Sequence, residues 1–82
     1  MSKEPIITRL NYLQKQYPIG AIIELIKLED RFSQLKTGTY GKIEYIDDIG
    51  QIHVIWETGS KLALIPGIDT FRVVERASTP KH

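Results

Sequence analysis

Apolar residues recur at helical spacing near the start of the chain. Ile6, Leu10, Leu13 and Tyr17 share one side of a helical wheel, with Arg9, Gln14 and Lys15 elsewhere on it. The spacing predicts one amphipathic helix. Pro5 suits its first turn, where a missing N–H costs little, and Pro18 disfavours helical geometry at Tyr17 and so ends it. From Gly20 the period changes. "GAIIELIKL" sets Ile23 and Leu25 on one face and Glu24 on the other, which predicts a strand of about eight residues. Ile22 and Ile26 share the Glu24 face, so this strand is expected to be covered on both sides, with the helix as its cover. "EDRFSQLKTG" then reads as a polar folded loop, too long for a tight hairpin.

The stretch "GKIEYIDDIGQIHVIWETG" carries two similar turns. Asp48-Ile49-Gly50 and Glu57-Thr58-Gly59 each suit a hairpin loop in which a type I turn ends on glycine in the left-handed region. These loops set the register. Asp47 should face Gln51 and Ile46 face Ile52; beyond the second loop Trp56 should face Ser60, Val54 face Leu62 and Ile52 face Leu64. Directly opposed residues point to one side, so Ile46, Ile52, Val54, Trp56, Leu62 and Leu64 share a core. Ile43 and Ile46 both read as core yet lie at odd separation, which strict alternation forbids. A bulge at Glu44-Tyr45 resolves this by pairing Ile43 with Val54 and Gly41 with Trp56, leaving room over Gly41 for the indole.

After "SKLALI", Pro66-Gly67 supplies a turn, and "TFRVVE" sets Phe71 and Val73 against Arg72 as a last strand. The expected fold is mainly β: an SH3-like five-stranded small β-barrel with one N-terminal amphipathic α-helix. Residues 1–18 form the helix packed on the barrel, 19–76 the barrel, and 77–82, the aperiodic "ASTPKH", a disordered tail.

Several of these marks are shared with a known family. Pro18 and Gly20 before the first strand, Gly38 and Gly41 around the second, Asp47-Asp48-Ile49-Gly50, Trp56 followed by Gly59, and Pro66-Gly67 followed by Asp69 closely resemble a small bacterial domain of unknown function. That family is carried by Firmicutes genomes, their phages and conjugative elements. The resemblance runs from about Tyr17 to Val74. It implies an SH3-like barrel and a mobile-element setting, and it brings no activity or catalytic residue.

Composition narrows the function classes. At 82 residues the chain supports one compact core and no separate substrate domain. With no cysteine, disulfides, thiolate metal sites and cysteine nucleophiles are excluded. No apolar run approaches a membrane span of about 18 residues, and "MSKEPIITRL" does not read as a secretory signal. The expectation is a soluble, cytoplasmic protein that does not engage membranes. A net charge of +1, with both signs interleaved, calls for no polyanionic partner.

Candidate chemistry is sparse. Asp47 and Asp48 are expected to form a turn rather than bind a cation, and His53, without a partner, to face outward near Glu44. His82 falls in the tail. No catalytic, cofactor-binding or metal-binding residue is assigned, and no cofactor is expected. The aromatics are more informative, because Phe32, Tyr40 and Tyr45 are not required by the core pattern. Together with Arg31 and an exposed edge of Trp56 they form the candidate surface for an unidentified protein partner. Lys27, Lys36 and Lys42 lie near the same aromatics, as single-stranded nucleic acid would require, although Glu29, Asp30 and Glu44 dilute the positive charge. The leading expectation is therefore a non-catalytic protein-interaction module, monomeric or weakly dimeric. Its alternatives are a nucleic-acid-binding barrel and an inhibitor of a host defence or regulatory protein.

Overall fold

The computed structural model describes residues 6–29 and 34–76. Two turns lay out the middle of the chain. Gly50 and Gly59 take the left-handed backbone conformation, at φ 88° and 91°, where a side chain would be strained. At the first turn the Gly50 N–H donates to the Asp47 carbonyl (3.0 Å) and the Asp47 N–H to the Gln51 carbonyl (3.0 Å). At the second, the Gly59 N–H donates to the Trp56 carbonyl (2.8 Å) and the Trp56 backbone N–H to the Ser60 carbonyl (2.9 Å). These turns join β2 (Tyr40–Ile46) to β3 (Ile52–Trp56) and β3 to β4 (Lys61–Leu64).

The register matches the one the turns predict. Ile46 faces Ile52, Ile43 faces Val54 and Gly41 faces Trp56; on the other side of β3, Val54 faces Leu62 and Ile52 faces Leu64. Between Ile43 and Tyr45 the ladder slips, leaving Glu44 as the extra residue of a bulge. β1 (Ile22–Lys27) lies between β2 and β5 (Thr70–Glu75), so the antiparallel order is β4-β3-β2-β1-β5. β4 and β5 are its two edges, and no ladder joins them. Among the described residues the fold is a five-stranded antiparallel sheet, not closed on itself, with one short helix.

The inward face holds one buried cluster: Ala21, Ile23 and Leu25 from β1 and its approach, Ile43 from β2, Ile52, Val54 and Trp56 from β3, and Leu64 from β4. Phe71 and Val73 of β5 pack against it half-buried. Full burial of each large apolar side chain stabilises the fold by about 1.5–3 kcal/mol. Asp69, 8% exposed, is the polar member of the described interior. Its Oδ2 accepts the Ile65 N–H (2.9 Å) and its Oδ1 the Glu29 N–H (2.9 Å). One carboxylate thus clips the β4–β5 turn to the exit of β1.

α1 (Ile6–Gln16) ends where Pro18 directs, with the Tyr17 N–H still donating to the Leu13 carbonyl (2.8 Å). Its neighbour is β2, not β1, which corrects the expected cover. The reason lies in the chain entering β1. The Gly20 N–H donates to the Ile43 carbonyl (2.8 Å) and the Ile43 N–H to the Ala21 carbonyl (2.9 Å), so the preceding residues run on toward the Ile46 end of β2. The helix therefore sits by the first hairpin turn, where Leu13 is buried and a Cβ built on Gly50 would lie 3.4 Å from Leu13 Cδ1. The outward side chains of β1 stay uncovered: Ile22 is half-buried and Ile26 exposed. The expected tail at 77–82 lies outside the described residues.

Candidate interaction surface

Strand alternation sends every second side chain outward, and the register arranges those side chains in rungs. One rung runs Ile22, Lys42, Ile55, Lys61 across β1 to β4. Beside it Tyr40 faces Glu24, and Glu57 closes the row by accepting the Tyr40 backbone N–H at Oε2 (3.1 Å) while its own N–H donates to the Tyr40 carbonyl (2.9 Å). Ile22, Tyr40, Lys42, Ile55 and Glu57 line a shallow depression of about 180 Å³ whose accessible wall is almost wholly apolar. Arg72, opposite Glu24 on β5, donates from Nε to its Oε1 (2.7 Å).

The bulge makes a second rung. Skipping Glu44 sets Tyr45 opposite His53 and His53 opposite Ala63. The Tyr45 and His53 rings stack with centroids 4.2 Å apart and planes 6° apart. Behind them, His53 Nε2 lies 2.8 Å from Asp47 Oδ2, while Asp47 Oδ1 accepts the N–H groups of Gln51 (2.9 Å) and Ile49 (3.1 Å). Asp47 forms its turn as expected and also holds the histidine, so the expectation of a partnerless His53 is corrected. The His53 hydrogen bond, helped by those two N–H groups and opposed by partial desolvation, holds the Asp47 carboxyl below the ordinary aspartate range. Among the described residues, no group of three or more His, Asp or Glu side chains gathers as metal ligands would.

The predicted contact residues fare differently. Tyr40 and Tyr45 are exposed, at 46% and 45%, but five positions apart on β2 they border different hollows. Trp56 presents no edge to solvent: it is 1% exposed, and its indole Nε1–H donates to the Leu62 carbonyl (3.1 Å). Arg31 and Phe32 lie outside the described residues. Lys42 stands on the first rung, whereas Lys27 stands at the far end of β1, where Glu29 Oε2 is 3.4 Å from its ammonium, and Lys36 lies outside both rungs. Sequence reasoning missed Ile22 and Glu57. Ile22 was visible as an apolar residue on the Glu24 face, but its neighbours depend on a β1–β2 register that no tight turn sets.

Comparison with known proteins adds one result. Residues 7–74 match the family model described as a domain of unknown function, DUF4314. The chain belongs to that family. The DUF4314 match takes in most of the helix and nearly all of the sheet, so both rungs and the Asp69 clip fall within the domain. No curated protein and no solved structure matches the chain.

Proposed function

We propose that this DUF4314 protein is a non-catalytic interaction module that binds another protein through the outward face of its sheet. The observation that carries this reading is that Ile22, Tyr40 and Ile55, on three neighbouring strands, line one hollow, with Lys42 between the two isoleucines on their rung and Glu57 closing the Tyr40 row. Apolar side chains exposed singly are ordinary. Several apolar side chains gathered in one hollow with polar ones among them are the mixture found at interfaces, and tyrosine supplies large contact area with a polar tip. The strand order and tight hairpins support an SH3-like barrel as the scaffold, the sequence resemblance supports a bacterial mobile-element setting, and a chain without cysteine is compatible with the cytoplasm. Inhibition of a host factor is one use of such binding.

The nucleic-acid reading draws on Tyr40 beside Lys42, but the Glu57 carboxylate closing that row would repel phosphates, and the Glu24–Arg72 pair opposite Tyr40 adds no net positive charge. The test is affinity capture from a bacterial lysate with wild-type protein and Tyr40→Ala as parallel baits. A hot-spot tyrosine worth about 2 kcal/mol predicts a partner weakened about thirtyfold by the variant. Equal recovery with both baits overturns the assignment of this face, and a ligand that is single-stranded DNA with steep salt dependence overturns protein as the partner class.

A further inference from the structure

The ladder shows which backbone groups of the edge strand β4 face outward. The Trp56 backbone N–H donates to the Ser60 carbonyl (2.9 Å), making that pair hydrogen-bonded. Bonded and non-bonded pairs alternate in an antiparallel ladder, so Val54/Leu62 and Ile52/Leu64 are bonded, while Ile55/Lys61 and His53/Ala63 are not. The N–H and C=O groups of Lys61 and Ala63 therefore point away from β3. Next in line, the Ile65 N–H is taken by Asp69 Oδ2 (2.9 Å), and the Ile65 carbonyl accepts the N–H groups of Ile68 (3.0 Å) and Asp69 (2.9 Å). The open edge thus has a defined end, and among the described residues no strand pairs with it.

The side chains beside this edge restrict what it can hold. The stacked Tyr45 and His53 rings continue across the sheet only to the methyl group of Ala63. With Glu44 and Lys61 they line a hollow of about 370 Å³. Lys61 ends the neighbouring rung and is exposed.

We propose that the β4 edge receives an extended segment of a partner protein as an added antiparallel strand, with an aromatic side chain opposite Ala63 and an acidic one opposite Lys61. This rests on the protein-binding reading above and specifies the partner. An extended main chain is the chemistry that matches alternating outward N–H and C=O groups. Because Ala63 and Lys61 are two apart on one face, the partner residues are also two apart, and antiparallel addition orders them aromatic-X-acidic. The aromatic side chain extends the Tyr45, His53, Ala63 rung, and because the added strand stands two strand spacings, about 9.5 Å, from β3, its ring must lie over the small Ala63 side chain to meet the His53 ring. A second copy of this chain fits poorly. Two β4 strands related by a two-fold at Leu62 would set each Lys61 opposite the other Ala63, and β4 (Lys61–Leu64) carries neither an aromatic nor an acidic side chain to offer its own copy.

The test is amide NMR of the isotope-labelled full chain, titrated with a capped peptide of about seven residues, Thr-Val-Phe-Thr-Glu-Val-Thr. Saturable shifts at Lys61 and Ala63, exchange of their amides slowed about tenfold or more, and ring-current shifts at His53 are expected. A peptide with Phe changed to Ala should bind at least about tenfold more weakly. Lys61→Glu should weaken the original peptide about threefold to tenfold and favour one carrying Lys in place of Glu, a charge reversal that a folding defect would not mimic. Shifts confined to Ile22, Tyr40 and Ile55 would overturn the edge proposal while leaving the outward face as an interface. No shift with any peptide would overturn it too, with the lysate capture deciding the broader reading independently. Protection of Lys61 and Ala63 that grows with protein concentration in the absence of peptide would assign the edge to a second copy and overturn the partner proposed here.

Discussion

Replacing Gly41 with alanine tests the packing on which the outward face depends. A Cβ at Gly41 would run into Val54 Cγ1 and lie 2.7 Å from Trp56 Cε3 and 3.0 Å from Trp56 Cδ2. Comfortable carbon contacts begin near about 3.5 Å, so the neighbours must retreat by about 1 Å. Neither is free to do so. Val54 is β-branched, buried and stiff about χ1, and the Trp56 indole is tethered to the Leu62 carbonyl. Overpacking of this kind costs about 1–3 kcal/mol, and two rigid neighbours place it toward the upper end. Against it stand about 0.4–1 kcal/mol from the stiffer unfolded chain. The net expectation is a loss of about 2 kcal/mol, which for a domain of this size lowers Tm by about 8–16 °C. Urea titration followed by Trp56 fluorescence should move the midpoint without changing the slope. Val54→Ala removes the closest clashing atom, so Gly41→Ala should cost less in that background than alone, with a coupling of about 0.5–3 kcal/mol. A neutral or stabilising Gly41→Ala, or strict additivity of the pair, would refute this account of the glycine.

Asp69→Ala should cost about 2–4 kcal/mol by stranding the N–H groups of Glu29 and Ile65, and Asp69→Asn less, with hydrogen exchange at those two amides accelerating in both. Asp47 has a folded pKa below its unfolded value, so its contribution is full above the unfolded aspartate range and disappears as pH falls through the folded value. Urea midpoints measured from about pH 6 to about pH 3 should therefore fall more steeply for wild type than for Asp47→Asn. Deleting Glu44 leaves Ile43, Tyr45 and Ile46 in strict alternation, so NMR should find Tyr45 still opposite His53 while the contact of Leu13 with the Gly50 turn weakens as the strand straightens. A register shift of Tyr45 would refute that last reading.

The parts of the fold that were legible in the sequence are those fixed by short-range chemistry. Gly50 and Gly59 dictated hairpin geometry, and with it the opposition of Ile46 to Ile52 and of Val54 to Leu62. The irregular spacing of Ile43 and Ile46 revealed the bulge, because a core strand cannot send apolar side chains to both faces without cost. The helix itself was equally legible, but its position was not. That depends on the hydrogen bonds of Gly20 and Ala21 with Ile43, which join segments separated by the long loop. Asp69 stood out in the sequence only beside the Pro66-Gly67 turn, and its clipping role was hidden for the same reason: its partners Ile65 and Glu29 include one that is 40 positions away.

The candidate surface was less legible because exposure is a property of both faces of the sheet at once. Trp56 was correctly placed opposite Gly41, yet the same placement puts the indole inside, where its N–H must find a partner and takes the Leu62 carbonyl. An outward aromatic surface had to come from residues that the core did not need. Tyr40 meets that condition by simple alternation, whereas Tyr45 meets it because Glu44 is bulged out of the ladder, which leaves Ile43 and Ile46 inward and Tyr45 over the ring of His53. Asp47 then fixes that histidine from the turn that defines the hairpin. The same local geometry thus serves the core on one side and organises the aromatic rung on the other. A sequence change that disturbs the bulge should therefore act on stability and binding together, whereas Lys61, on the open edge with its side chain in solvent, is where binding can change alone.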